Sequence, residues 1–135
     1  TAGSIIDCEE ILKYTDLVIF DIKGTNTDNY KYMTGGNFNN SVEFLKLCEK
    51  SNKKLWLRVV IVPGINDNDN YINELIEFIK PLKNVEKIEF LPYHTYGVHK
   101  YEELGISYPL KETCDMDIDK CKMLENKLKE GLKLI

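Results

Sequence analysis

The sequence predicts an α/β fold with parallel strands, and two observations carry that expectation. Three short β-rich runs, residues 16–22, 55–62 and 85–91, alternate with longer helical segments, which is the order of successive βαβ units. The first run contains Leu17-Val18-Ile19-Phe20, apolar on both faces, as a strand covered on two sides should be. The chain has 135 residues and no internal repeat or low-complexity linker, so residues 1–135 form one expected domain with a modest core.

Residues 7–14 form the first expected helix, with Asp7 as its N-cap. Strand 16–22 follows, then a short helical turn over 28–34. In the next helix, 41–50, Ser41 offers a cap and Val42, Leu45 and Cys48 share one face. Strand 55–62 stops at Pro63-Gly64. Residues 69–79 place Ile72, Leu75, Ile76 and Ile79 on a helical stripe that Pro81 terminates. Strand 85–91 stops at Pro92, and 101–105 make one helical turn. A final amphipathic helix, 116–132, sets Ile118, Cys121, Leu124 and Leu128 at core spacing. Three parallel strands make neither a closed barrel nor a fully covered sheet. At least one edge stays open to pairing, so a further partner segment is expected.

Composition narrows the function classes. Hydrophobic residues make up 43% and charged residues 30%, as in an ordinary globular protein. The longest apolar runs are far too short to cross a bilayer. With 18 basic and 22 acidic residues the net charge is −4, which disfavours nucleic acid, because phosphate binding needs a basic face. Cys8, Cys48, Cys114 and Cys121 include no Cys-x-x-Cys pair and no familiar metal spacing. No secretory signal opens the chain, so free thiols in a reducing cytoplasm are expected.

Ligands of parallel α/β folds gather at the C-terminal ends of strands, and three polar clusters fall there. Asp21 and Lys23 close the first strand, Arg58 lies within the second ahead of Pro63-Gly64, and His94 follows the third. One acid, one imidazole and two cations on one rim suit a ligand carrying both a carboxylate and an ammonium. Each residue also has a plain structural reading. Asp21 and Lys23, two apart, point to one side and can simply pair; Arg58 needs some partner in an apolar strand; a lone histidine is usually solvated.

These stretches together resemble one family. Asp16-Leu-Val-Ile-Phe-Asp-Ile-Lys23 is similar to an Asp-Leu-Val-x-x-Asp-x-Lys stretch of pyruvate formate-lyase activating enzymes. Trp56-Leu-Arg-Val-Val-Ile-Val-Pro-Gly64 resembles their Trp-Ile-Arg-x-Val-Val-Val-Pro-Gly, with Asp67 and Asp69 in the turn that follows. Residues 84–94, ending Leu91-Pro-Tyr-His94, with Gly97 and Lys100 beyond, resemble a third motif. The resemblance covers the chain to about Leu110 and implies the C-terminal half of a partial (β/α)6 radical S-adenosylmethionine barrel.

In that family a 4Fe-4S cluster sits on a Cys-x-x-x-Cys-x-x-Cys motif. S-adenosylmethionine is cleaved reductively to a 5′-deoxyadenosyl radical, which takes hydrogen from a glycine of pyruvate formate-lyase or a related glycyl-radical enzyme. A flavodoxin or ferredoxin-type reductant supplies the electron. By position, the resemblance implies that Asp21, Lys23 and His94 line the cofactor pocket and that Arg58 lies near the cofactor or the glycyl loop. It also implies a monovalent-cation site at Thr1, the Ile19 carbonyl and Asp21. The cysteine motif and the Gly-Gly-Glu segment that helps hold the cofactor's amino group are absent, so the expectation is no iron–sulfur ligand, no catalytic residue and no activity in this chain alone, and the open edges suggest homo-association of the fragment.

Three other readings compete. One is an activase serving another glycyl-radical enzyme. The second is a response-regulator receiver with Asp21 as phosphoacceptor, although Lys-Gly follows where receivers carry Met-Pro and no acidic pair precedes. The third is a non-catalytic interaction module that retains the same rim.

Overall fold

The structure, a computed structural model, describes residues 5–134, with side chains from residue 7 onward. Its elements are α1 (Ile5–Lys13), β1 (Leu17–Asp21), α2 (Thr27–Thr34), α3 (Phe38–Lys50), β2 (Lys54–Ile61), α4 (Asp69–Ile79), β3 (Val85–Pro92), α5 (Val98–Glu103) and α6 (Ile118–Leu132). The three strands form one parallel sheet in the order β1-β2-β3. Register runs Asp21 to Arg58 to Glu89 across the sheet, and Ile19 to Trp56 to Lys87 one row below.

Strand order and handedness fix the layers. Parallel crossovers are right-handed, so three strands laid down in sequence place every connecting helix on one side. Phe20 and Ile22 of the first unit, Leu55, Leu57, Val59 and Ile61 of β2, and Ile88 and Phe90 of β3 are buried there. Against them pack Leu45 and Cys48 of α3, Ile72 and Leu75 of α4, and Leu124 and Leu128 of α6. Phe20 stacks on Phe44 of α3 with ring centroids 5.9 Å apart. A doubly wound receiver reverses its strand order and carries helices on both faces; this sheet does neither.

Local chemistry sets the helix ends, and it corrects several expectations. Helix α1 already begins at Ile5, before Asp7. Helix α3 begins at Phe38, capped by the Asn37 side chain accepting the Asn39 N–H. Ser41 is therefore no cap: it is buried one turn inside and its hydroxyl bonds the Tyr30 hydroxyl at 2.9 Å. An Asn at position 37 is as good a cap as Ser, and it exposes one more turn to packing. Helix α5 starts at Val98, ahead of the expected 101–105, and α6 starts at Ile118 on the Asp117 cap. The 28–34 turn is a full helix, α2, held by a capping box in which Asn26 and Asn29 satisfy each other's backbone N–H.

That capping box leaves no room at Gly24, which joins β1 to α2 one residue after Lys23. A Cβ there would lie 2.6 Å from the Tyr30 nitrogen and 2.7 Å from its Cα. Backbone cannot yield as a side-chain tip can, so Gly24→Ala should cost about 1–3 kcal/mol by overpacking. Thermal unfolding of the variant checks this, and an unchanged melting temperature would show that α2 is not seated as described.

Candidate functional site

The face opposite the helices is bare. In register it carries Leu17, Ile19 and Asp21 from β1, Trp56, Arg58 and Val60 from β2, and Lys87, Glu89 and Leu91 from β3. Along β2 buried and half-buried residues alternate strictly, and Ile19 is 51% exposed. Parallel sheets normally bury both faces. Here one face is instead dressed with ionic and aromatic side chains at half exposure.

Three of the four expected cofactor residues meet on this face. Asp21 ends β1 and stands level with Arg58. The Arg58 Nε–H donates to Asp21 Oδ1 at 2.8 Å, and the Lys23 ammonium sits 3.5 Å from Asp21 Oδ2. Because the contact uses Nε, both terminal nitrogens of the guanidinium fork are left for another acceptor. Beside this trio Lys87 pairs with Glu89 at 3.2 Å and lies over the Trp56 ring, 5.0 Å from its centroid. Glu89 and Lys87 were not named as site residues by the sequence reading, in which Trp56 stood only as the start of a motif. Alternation along β3 could have flagged them, since Ile88 and Phe90 mark the opposite face.

His94 does not join the trio directly. It lies at the same end of the sheet but two residues past the end of β3, beyond the row of Glu89, the register partner of Arg58. Its ring packs on Tyr96 with centroids 4.7 Å apart, and it is exposed. Asp21, Lys23 and Arg58 thus form a contact cluster at one level, and His94 stands beyond the end of β3 at the same end of the sheet.

The cation-site expectation finds no support. Thr1 lies outside the described residues. Asp21 already faces two cations, Arg58 and Lys23, which disfavours a third. Among the described residues no three His, Cys, Asp or Glu side chains gather to hold a metal. All four cysteines are free thiols. Burial, with the neighbouring Cys8 adding to it, pushes the Cys48 thiol up to about 11, so it is a neutral packing group. Burial and Glu125 likewise raise Cys121.

Asp67, in the loop after β2, and Asp69, the first residue of α4, both pair with lysines of α6. Asp67 accepts the Gly64 N–H at 2.7 Å and pairs with Lys120 of α6, while Asp69 pairs with Lys127 at 2.7 Å. Burial acts to raise the Asp67 carboxyl, but the Lys120 and Gly64 bonds outweigh it and hold the group below its ordinary value.

The comparisons with known proteins fit this geometry. No family model matches the chain. A pyruvate formate-lyase-activating enzyme of Clostridium pasteurianum is 48% identical over 124 residues, spanning 92% of this chain and 52% of that protein. One from Streptococcus mutans is 43% identical over 103 residues, spanning 76% of this chain and 39% of that protein. A crystal structure of a domain of pyruvate-formate lyase-activating enzyme from Bacteroides vulgatus superposes with a TM-score of 0.66 at 14% identity, covering 93% of this chain and 66% of that one. A radical SAM methyltransferase from Sphaerobacter thermophilus gives 0.65 at 13% identity, covering 99% of this chain and 36% of that one. The chain is thus an α/β unit that shares its fold with those two structures, with helices on one face of the sheet and the other face open. Over the residues it spans, it is homologous to the pyruvate formate-lyase-activating enzymes, and it spans about half the length of the first of these relatives.

Two predictions follow from these contacts. The Asp21–Arg58 pair is 37% and 39% exposed, so a double-mutant cycle with Asp21→Asn and Arg58→Met should show a coupling of less than about 1 kcal/mol in unfolding experiments; a larger value would make it a structural brace. Asp67→Asn should cost about 1–3 kcal/mol at neutral pH. Since the folded carboxyl titrates below the unfolded one, that stabilisation exists above the unfolded value near pH 4 and fades as pH falls through the folded value. Denaturation at a series of pH values should show variant and wild type converging in acid.

Proposed function

We propose that this chain is the portion of a glycyl-radical activase that holds the amino-acid end of S-adenosylmethionine. The observation that carries the reading is the trio on the bare face: Asp21 in contact with Arg58 and near Lys23, with the guanidinium fork unspent. A carboxylate ligand suits Arg58 and Lys23, the first as a two-pronged donor and the second as a point charge. An ammonium suits Asp21. An imidazole such as His94, further along the same end of the sheet, suits the more distant part of an extended ligand.

When bound with its iron–sulfur cluster, this cofactor supplies one-electron hydrogen-abstraction chemistry, and the protein's part is to bind, orient and exclude water. The cluster itself does not fit the residues here. Cys48 and Cys121 are buried in the core with raised thiols, and Cys114 stands exposed in the β3–α6 connection. Cluster ligands therefore come from outside these residues, and the chain alone is proposed to be inactive. The names of the relatives support a glycyl-radical enzyme, pyruvate formate-lyase, as protein substrate. The reading also calls for a flavodoxin or ferredoxin-type electron donor. Four free thiols are in keeping with the reducing cytoplasm such chemistry needs. No described helix is long and apolar enough to cross a membrane.

Trp56, the sole tryptophan, lies on the same sheet face one row from Arg58 and reports on the site. Titration of the chain with S-adenosylmethionine should change its fluorescence saturably. Arg58→Met and Asp21→Asn should each weaken binding at least tenfold, since each leaves a charge on the ligand unanswered. Affinity that ignores both substitutions would overturn the assignment.

A further inference from the structure

We infer that Lys87 is a positioning residue of the candidate site: by holding the Glu89 carboxylate it keeps the guanidinium fork of Arg58 open for a ligand carboxylate. This rests on the activase reading above.

Strand register creates the problem that Lys87 solves. Asp21, Arg58 and Glu89 stand level on three adjacent strands, so Arg58 has a carboxylate on either side. Neighbouring strands lie roughly 4.8 Å apart, well within the combined reach of a glutamate and an arginine side chain. A carboxylate and a guanidinium so placed pair readily, and the planar fork favours a two-pronged contact. Asp21 takes only Nε, at 2.8 Å. With Glu89 on the terminal nitrogens as well, Arg58 would be spent entirely on the sheet's own carboxylates.

The observed pairing is different. Glu89 Oε1 lies 3.2 Å from the Lys87 ammonium, and among the described residues no ion pair joins Glu89 to Arg58. Lys87 and Glu89 are two apart on β3, so they share the bare face. Lys87 is itself located from across the sheet. Its register partner is Trp56, and its ammonium lies over that ring, 5.0 Å from the centroid. The ring steadies the lysine, the lysine holds Glu89, and the fork stays free.

The balance is a fine one. Lys87 and Glu89 are 46% and 41% exposed, so any single ion pair among these groups is weak, and small differences decide which cation Glu89 takes. Deleting the Lys87 ammonium leaves Arg58 as the cation level with Glu89. A ligand carboxylate then has to displace Glu89 first, and its apparent affinity falls with the fraction of forks left open.

The test measures Lys87→Met and Glu89→Gln singly and together. Affinity for S-adenosylmethionine is read by calorimetry, because Lys87 lies over the fluorescent ring. Both side chains are half exposed, so folding should survive. Lys87→Met should weaken binding about fivefold, near the most that one exposed ion pair supplies. Glu89→Gln should change affinity less than twofold while Lys87 is present, and should restore it about fivefold in the Lys87→Met background. 5′-Methylthioadenosine, which lacks the carboxylate, should bind all four proteins alike. An effect of Glu89→Gln that is equal in both backgrounds overturns the inference, because the two residues then act only through their separate charges. A parallel loss of 5′-methylthioadenosine affinity in Lys87→Met overturns it too. In either case wild-type binding of S-adenosylmethionine leaves the activase reading standing. A wild-type chain that binds no S-adenosylmethionine removes both.

Discussion

The handedness of the crossovers governs everything else in this molecule. With β1, β2 and β3 laid down in sequence, right-handed connections can place helices on one side only. That side takes nearly all of the core, from Phe20 and Leu55 to Leu128. The opposite face is then the sheet surface that can carry polar side chains without disturbing the packing. Alternation along β2 does the sorting: Leu55, Leu57, Val59 and Ile61 go to the core, while Trp56 and Arg58 stay on the bare side.

Electrostatics on that side follow from the same rows. Asp21, Arg58 and Glu89 stand level, and Lys87 one row down reaches back to Glu89. Signs alternate across the sheet, so no charge is left without an opposite neighbour, as half-buried ions require. The pairs are too exposed to stabilise the fold by much. Their arrangement makes sense as a surface that holds cations and anions at fixed spacing, with the helices behind it acting as a rigid support.

Strands and helices were legible because their signals are local. Apolar runs closed by Pro63, Pro81 and Pro92 marked β2, α4 and β3 nearly to the residue. The start of α3 was misjudged because Asn37 and Ser41 are both competent caps, and only the burial of Ser41 beside Tyr30 decides between them. Asp21, Lys23 and Arg58 could be named from strand ends and from the family resemblance. Their distances to His94 could not, since those depend on strand register, which no single strand records. Alternation could mark the face that Glu89 and Lys87 share, but their grouping with Trp56 depends on β2 and β3 lying side by side with a shift between Leu55 and Trp56.

The two edges of the sheet are treated differently, and this bears on how the bare face is used. At β3 the Phe90 N–H is taken by the Glu125 carboxylate of α6 at 2.7 Å, and Pro92 has no N–H to offer. A charged cap and a proline are the usual means of stopping further pairing. The outer edge of β1 carries neither device among the described residues. There the Ile22 N–H points inward to the Arg58 carbonyl, so the alternating groups of Ile19 and Asp21 point outward. The sheet is therefore sealed on the side of the long β3–α6 connection and open on the side of Asp21. Any strand that extends it must arrive beside the carboxylate that holds Arg58, which ties completion of the sheet to the site where the ionic groups already meet.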